Sequence, residues 1–232
     1  MMRNTTQSDR HPVGRNRFVM AVAAVALSIV AAGTVQAAPV GEVITMAGRV
    51  FAANNDGQVR ALAKGAQVEN GETIVTSMNS LVRIKFIDDA YVILRPNTRF
   101  QITDYNMDED PAQNRSVFRL LKGGLRTVTG LIGRRNRSGY QLRTAISTIG
   151  IRGTDYEAMT CSNGDCGPGV EDGDYVGVKQ GEIDVNSPGG GSTTYGQGEF
   201  GFFAGGDGPP IKIPASQAGA LSNDPLPDAV CE

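Results

Sequence analysis

Short runs in which apolar and polar residues alternate, separated by glycine-containing turns, fill most of the chain. In residues 81–86 and 99–103 apolar side chains recur at every second position, the period of a strand with one buried face. Asn54-Asn55-Asp56-Gly57 separates two such runs, and its Asp-Gly pair supplies the positive φ angles of a hairpin turn. The pattern predicts an all-β fold of short strands and glycine turns.

Glycine precedes several of these runs, at Gly41, Gly71, Gly124 and Gly181. Their spacing is irregular and does not match a strict solenoid repeat. Short strands with glycine corners favour either a sandwich or a helically wound, solenoid-like β-roll.

The segment around Ile151-Arg152-Gly153-Thr154 is the most distinctive strand, because glycine interrupts it where a charge and a hydroxyl flank the bend. Glycine inside a strand usually marks a bulge or a close backbone approach. We interpret these residues, together with Gly181-Glu182 at the start of a later strand, as structural. Arg152 is then expected to pair with a buried or half-buried acceptor. The alternative is an active-site bend.

Residues 1–37 have the three parts of a secretory signal peptide. Arg3, Arg10, Arg15 and Arg17 precede the apolar residues 18–32, and Val35-Gln36-Ala37 is a small-x-small cleavage site. Cleavage after Ala37 or Ala38 would leave no stable membrane anchor and a periplasmic or secreted protein. We predict a β-domain over residues 38–203 and a flexible tail rich in Gly, Pro and Ala over residues 204–232.

Charge and histidine content exclude several classes of function. The signal peptide holds four of the 22 basic residues and one of the 24 acidic residues, so 18 basic and 23 acidic residues remain. Such a surface is a poor partner for nucleic acid. His11, the only histidine, lies in the signal peptide. The exported chain therefore lacks the histidine of Ser-His-Asp and Cys-His catalysis and of His-ligated metal sites.

Cysteine spacing predicts one local disulfide. Cys161 and Cys166 are separated by four residues, and an oxidising compartment favours their pairing. Cys231 would remain as a free thiol or an intermolecular link.

Carboxylates supply the remaining candidate chemistry. Asp155 and Glu157 share one face of a strand, and a glycan hydrolase needs two carboxylates a few ångströms apart. Glu171, Asp172 and Asp174 offer oxygen ligands that suit calcium, without the EF-hand spacing. Exposed acids that keep an exported protein in solution are the stronger explanation of both groups, so we expect no metal, no cofactor and no catalytic residues.

Several segments, in order, resemble the FecR domain family of bacterial periplasmic signalling proteins. They are Gly41-Glu-Val43, Gly71-Glu-Thr-Ile74, Leu94-Arg-Pro96-Asn97, Leu121-Lys-Gly123-Gly124, Ile151-Arg-Gly-Thr154 and Val178 to Val185. The resemblance covers about Val40 to Phe203 and implies a Gram-negative-type envelope. Full regulators of this family carry a cytoplasmic sigma-binding segment and a membrane span, whereas this chain has only a signal peptide there.

The leading hypothesis is therefore a non-enzymatic, stand-alone FecR-like module that binds or senses through contact with another envelope protein. One alternative is a structural protein that binds cell wall or glycan, although the chain has no Trp for sugar stacking. The other is the carboxylate-based glycan hydrolase.

Overall fold

A computed structural model describes residues 38–222 of the 232-residue chain. The predicted signal peptide, with His11, and residues 223–232, with Cys231, lie outside the described residues. Within them, helix is limited to three short 3-10 turns and two helices of five and four residues. No helix in this part of the chain is long and apolar enough to cross a membrane.

Seventeen strands make up the rest of the regular structure in residues 38–222. They are β1 (Pro39–Ala47), β2 (Val50–Ala53), β3 (Val59–Ala61), β4 (Gln67–Glu69), β5 (Thr73–Thr76), β6 (Leu81–Phe86), β7 (Tyr91–Leu94), β8 (Arg99–Asn106), β9 (Arg115–Val128), β10 (Tyr140–Arg143), β11 (Thr148–Ile151), β12 (Asp155–Cys161), β13 (Gly173–Gln180), β14 (Glu182–Asn186), β15 (Ser192–Gly196), β16 (Phe200–Phe203) and β17 (Ile211–Ile213). The helices are α1 (Leu131–Arg135) and α2 (Gly219–Ser222), and the 3-10 turns are Pro111–Gln113, Arg137–Gly139 and Ala215–Gln217.

The strands form two sheets that share one long strand. Sheet 1 has the order β4-β1-β6-β7-β9-β12-β13-β16-β17. Sheet 2 has the order β3-β2-β5-β8-β9-β10-β11-β14-β15. Strand β9 pairs in sheet 2 up to Lys122 and in sheet 1 from Gly123 onward. Gly123 has φ +78°, and a side chain there would collide with Thr98.

The chain passes repeatedly from one sheet to the other, as in β1 (sheet 1), β2 and β3 (sheet 2), and β4 (sheet 1). All pairings are antiparallel except β9 with β10. The predicted all-β class is confirmed, and the chain winds between two sheets that do not close into a barrel.

Aromatic rings from both sheets fill the interior. Phe86 in sheet 1 lies with its ring centroid 4.8 Å from Tyr105 and 5.3 Å from Phe118, both in sheet 2. The hydroxyls of Tyr140 and Tyr156 meet across the core at 2.7 Å. Burial alternates along strands such as β6, which confirms the period-two interpretation.

A second, smaller cluster covers part of the outer face of sheet 1. Cys161, Tyr175 and Leu221 are buried there, with Phe200, Phe202 and other side chains partly buried against them. The described part of the predicted flexible tail differs from that expectation, because β17 pairs with β16 and Leu221 is only 3% exposed. Its few apolar residues cover aromatic side chains that would otherwise face water, which its composition alone did not indicate.

Candidate functional site

The structure brings together the six residues that the sequence singled out as structural. Ile151 on β11 pairs with Ile183 on β14, so the bend after β11 lies beside the start of β14. The Glu182 carbonyl oxygen accepts hydrogen bonds from the Arg152 amide at 2.9 Å and from the Thr154 hydroxyl at 2.7 Å. Gly153 and Gly181 lie in contact at this corner, which we name the Arg152 corner.

The Arg152 side chain pairs with two carboxylates. Its Nη1 lies 2.9 Å from Glu182 Oε1, and its Nε lies 3.3 Å from Asp184 Oδ2. The side chain is 49% exposed, and both acceptors are partly exposed. These contacts favour a structural role for the corner over an active-site bend.

The two glycines of the Arg152 corner should differ in their tolerance of alanine. Gly153 has φ +71°, and no atom lies within 4 Å of the position that a Cβ would take, so Gly153→Ala should cost about 1 kcal/mol of backbone strain. Gly181 has φ +82°, and a Cβ there would lie 2.6 Å from the Gly153 carbonyl oxygen. Gly181→Ala should therefore cost about 3 kcal/mol. Urea unfolding of both variants measures the difference, and equal losses would contradict this account of the corner.

The loop between β12 and β13 contains the predicted disulfide. Cys161 and Cys166 are bonded, with their Cα atoms 5.5 Å apart. The Asp172 carboxylate closes the loop by accepting hydrogen bonds from the amides of Asn163 and Gly164, at 2.8 and 3.0 Å.

The calcium candidates do not converge. Asp172 points into the cysteine loop, Glu171 accepts the Tyr175 hydroxyl at its carbonyl oxygen, and Asp174 is buried. Among residues 38–222, no group of three or more acidic, Cys or His side chains is placed to hold a metal ion.

Asp174 instead accepts hydrogen bonds from three hydroxyl groups. Its Oδ2 accepts from Thr144 Oγ1 and Ser147 Oγ, each at 2.6 Å, and its Oδ1 accepts from Thr160 Oγ1 at 2.8 Å. This carboxylate therefore ties the turn before β11 to strands β12 and β13.

Asp174 should make stability depend on pH. Burial raises the pKa of Asp174 above its ordinary value, and the hydroxyl donors only partly oppose that shift. The folded protein therefore binds the Asp174 proton more tightly than the unfolded chain does. The stability that this protonation contributes is fully present below the unfolded pKa of about 3.9, and it is lost as pH rises through the folded pKa. Relative to Asp174→Asn, the wild-type protein should lose stability as pH rises from about 4 toward neutrality.

Urea midpoints of both proteins across this pH range test the prediction. Parallel pH profiles would contradict it. So would a difference in urea midpoint between the two proteins that grows in favour of the wild type at higher pH. A carbon-detected NMR titration of the Asp174 carboxyl gives the same direction without any substitution.

The carboxylates considered for hydrolysis are held in ion pairs on the outer face of sheet 1. Asp155 accepts from Arg126 Nε at 3.0 Å and from Arg126 Nη2 at 2.8 Å. Glu157 lies 3.5 Å from Arg95 Nη2 and 3.5 Å from Lys179 Nζ. Both carboxylates are therefore already engaged by basic side chains of the same sheet.

These cationic partners were missed in the sequence. Arg95 directly follows the buried strand β7 and is itself 2% exposed. Nothing local in the sequence identifies Glu157 as its partner.

The edge strands differ in their exposure. At the end formed by β15 and β17, Tyr195 donates its hydroxyl to the Ile211 carbonyl oxygen at 3.0 Å, so the chain covers part of its own edge. At the opposite end, β3 pairs along one side with β2, and residues 55–61 are all exposed. Val59 is 66% exposed. Among the four edge strands of the described chain, β3 alone has every residue exposed.

The fold is an all-β module. Its candidate catalytic carboxylates, Asp155 and Glu157, form ion pairs with basic side chains of the same chain. Residues 72–185, just under half of the chain, match the model of the family described as FecR protein, the family that the sequence motifs resemble. Strands β1 to β4 and β15 to β17 lie outside the matched range but pair into the same two sheets. The family suggests a regulatory role in signalling, and its members are regulators rather than enzymes.

Solved structures give weaker likenesses. Two crystal structures of a candidate anti-sigma factor from Parabacteroides distasonis ATCC 8503 match with a TM-score of 0.45 and 13% identity, over 61% of this chain and 58% of that one. A cell surface anchoring domain matches with a TM-score of 0.30 and 28% identity, over 32% of this chain and 99% of that one. Neither TM-score is high enough to bear on function. No curated protein matches the chain.

Proposed function

We propose that this chain is a non-enzymatic regulator of the bacterial envelope, exported to the periplasm, which acts in signalling through contact with another envelope protein. The FecR domain supports the regulatory role. The signal-peptide pattern of residues 1–37 supports export.

The proposed contact with another envelope protein rests on one observation, the exposed arm of residues 55–61. Its strand β3 offers backbone donors and acceptors along one edge, and Val59 adds an exposed apolar side chain. Strand addition uses backbone hydrogen bonds for affinity and alternate side chains for specificity. We therefore place the partner segment along β3, as an added strand of sheet 2.

Site-specific photo-crosslinking tests this contact. Benzoylphenylalanine at position 59 should form a crosslink to one envelope protein in intact cells. The same group at position 211 is the matched control, because Ile211 is 55% exposed on an edge strand at the other end. Equal crosslinking from both positions, or none from position 59, would overturn the edge contact. Crosslinks to glycan alone would favour the wall-binding alternative.

Export is tested separately. Cell fractionation should place the protein in the periplasm, and intact mass should show a chain that begins at Ala38 or Pro39. A full-length chain in the cytoplasm would refute export while leaving the regulatory role of the FecR domain open.

A further inference from the structure

Two pairs of basic residues face each other across neighbouring strands of sheet 2. Arg99 on β8 is the register partner of Lys122 on β9, and Arg119 on β9 is the register partner of Arg143 on β10. All four residues are exposed, and we name them the basic patch. Like charges directly opposite each other destabilise a sheet, so the stability of the fold does not explain this arrangement.

The charges of the basic patch are mostly uncompensated. Lys122 Nζ lies 3.3 Å from Asp165 Oδ2. Arg143 donates hydrogen bonds from Nε and Nη2 to Gln141 Oε1, a neutral acceptor, at 3.0 and 2.6 Å. Among residues 38–222, the other two arginines of the basic patch have no carboxylate oxygen within 4 Å. The basic patch therefore sets four cations against one paired carboxylate.

The other acidic residues around this face are paired elsewhere, buried or on connecting segments. Four carboxylates on or beside the strands of sheet 2 lie within 4 Å of arginines outside the basic patch: Glu72 near Arg60, Asp104 near Arg115, and Glu182 and Asp184 near Arg152. Asp174 is buried. The remaining acids lie between strands: Asp56 between β2 and β3, Asp108, Glu109 and Asp110 between β8 and β9, Glu171 and Asp172 between β12 and β13, and Asp207 beyond β16.

Apolar side chains accompany the basic patch. Leu121 lies next to Lys122, where the register between β8 and β9 shifts, and it is 47% exposed. The row that contains Arg99 continues across Val75 on β5 to Phe51 on β2, both half-buried. Cations and apolar surface thus share five adjacent strands, a width of about 19 Å at about 4.8 Å per strand.

We propose that the outer face of sheet 2, at the basic patch and Leu121, binds the surface of a bilayer that contains anionic phospholipids. The phosphates of the headgroups accept hydrogen bonds from the arginines, whose guanidinium groups donate two parallel bonds to one phosphate. Leu121 enters the boundary between headgroups and acyl chains, which a free phosphate ion does not provide. The cations are spread over three strands rather than along one line, so they suit a planar array of mobile headgroups better than a single acidic protein segment.

Vesicle binding by the full chain tests this contact. The probe is a vesicle of equal parts phosphatidylglycerol and phosphatidylcholine, in buffer of about 0.1 M ionic strength. Each cation near an anionic bilayer contributes a factor of about five to the partition coefficient, so Arg119→Gln/Arg143→Gln should lower it about 25-fold. Salt at about 1 M, where the Debye length is about 3 Å, should abolish the difference. All variants share the same N-terminal residues, so differences between them report the basic patch.

Lys85→Gln/Lys212→Gln is the matched control, because it removes two exposed cations from sheet 1. It should bind the vesicles within about twofold of the wild type, since its charges lie outside the proposed contact. Arg119→Gln/Arg143→Gln should keep or raise the urea midpoint, because the facing arginines repel each other. Equal losses of vesicle binding in the two double variants would overturn the proposal. A lower urea midpoint for Arg119→Gln/Arg143→Gln would contradict the reason given for the placement of these arginines.

A tryptophan at position 121 locates the contact, because the chain has no tryptophan of its own. Leu121→Trp should show blue-shifted emission on the phosphatidylglycerol vesicles, as its ring leaves water. Ile211→Trp, at a residue 55% exposed on β17 of sheet 1, should show no shift. Equal shifts at both positions would show adsorption without a defined face and refute the proposal. Retention on immobilised polyglutamate that exceeds binding to the vesicles would assign the basic patch to an acidic protein segment and exclude the lipid surface.

Discussion

Asp88→Ala should lower the free energy of unfolding by about 4 kcal/mol, because it removes the acceptor for three buried donors. Asp88 is 1% exposed in the turn between β6 and β7. Its Oδ1 accepts from the Ala90 amide at 2.9 Å and from the Tyr105 hydroxyl, and its Oδ2 accepts from the Ile132 amide at 2.9 Å. Each buried donor left without an acceptor costs about 1–3 kcal/mol.

The neighbouring aspartate provides a matched control in the same turn. Asp89 is mostly exposed, and its carboxylate pairs with Lys85 at 2.8 Å. Asp89 also has φ +63°, which asparagine tolerates, so the comparison is best made with Asp→Asn at both positions. Asp88→Asn sets an amide N–H₂ against a buried donor and should cost about 2 kcal/mol, whereas Asp89→Asn should cost less than about 1 kcal/mol.

Urea unfolding of Asp88→Ala, Asp88→Asn and Asp89→Asn gives these losses directly. If the two asparagine variants were equally stable, Asp88 would not link the β6–β7 turn to the start of α1.

Asp88 also illustrates what the sequence could not reveal. The Asp88-Asp89 pair predicts a turn, and the turn is present. The Ile132 amide that Asp88 binds lies 44 residues further along the chain, and no local pattern specifies that pairing. Hydrophobic periodicity reports which face of a strand is buried, but not which strand lies beside it. The sharing of β9 between two sheets was hidden for the same reason.

The Arg152 corner was easier to find because glycine marks it. Gly153 and Gly181 both have positive φ, a backbone conformation that glycine adopts readily because it has no Cβ. The C-terminal segment shows the opposite case. Its composition indicates disorder, but Leu221 is buried because Gly177 leaves room above β13, a fact of tertiary structure alone.

Arg95→Leu should lower the free energy of unfolding by about 3–5 kcal/mol, the cost of removing one partner of a buried ion pair. Arg95 is 2% exposed and lies 3.5 Å from the buried Glu157 carboxylate. The substitution also removes the donor to the Leu221 carbonyl oxygen, so the C-terminal segment should lose protection from hydrogen exchange. Urea unfolding and exchange at residues 211–222 measure the two effects.

Arg152→Leu is the control, because Arg152 likewise forms ion pairs, with two carboxylates, but is half exposed. Water and ions screen such pairs, so its loss should cost less than about 1 kcal/mol. The double variant Arg95→Leu/Glu157→Leu should recover part of the loss, since no buried charge is then left without its counter-ion. Equal losses from Arg95→Leu and Arg152→Leu, or a double variant less stable than Arg95→Leu alone, would show that burial of the Arg95–Glu157 pair does not govern the stability of this face.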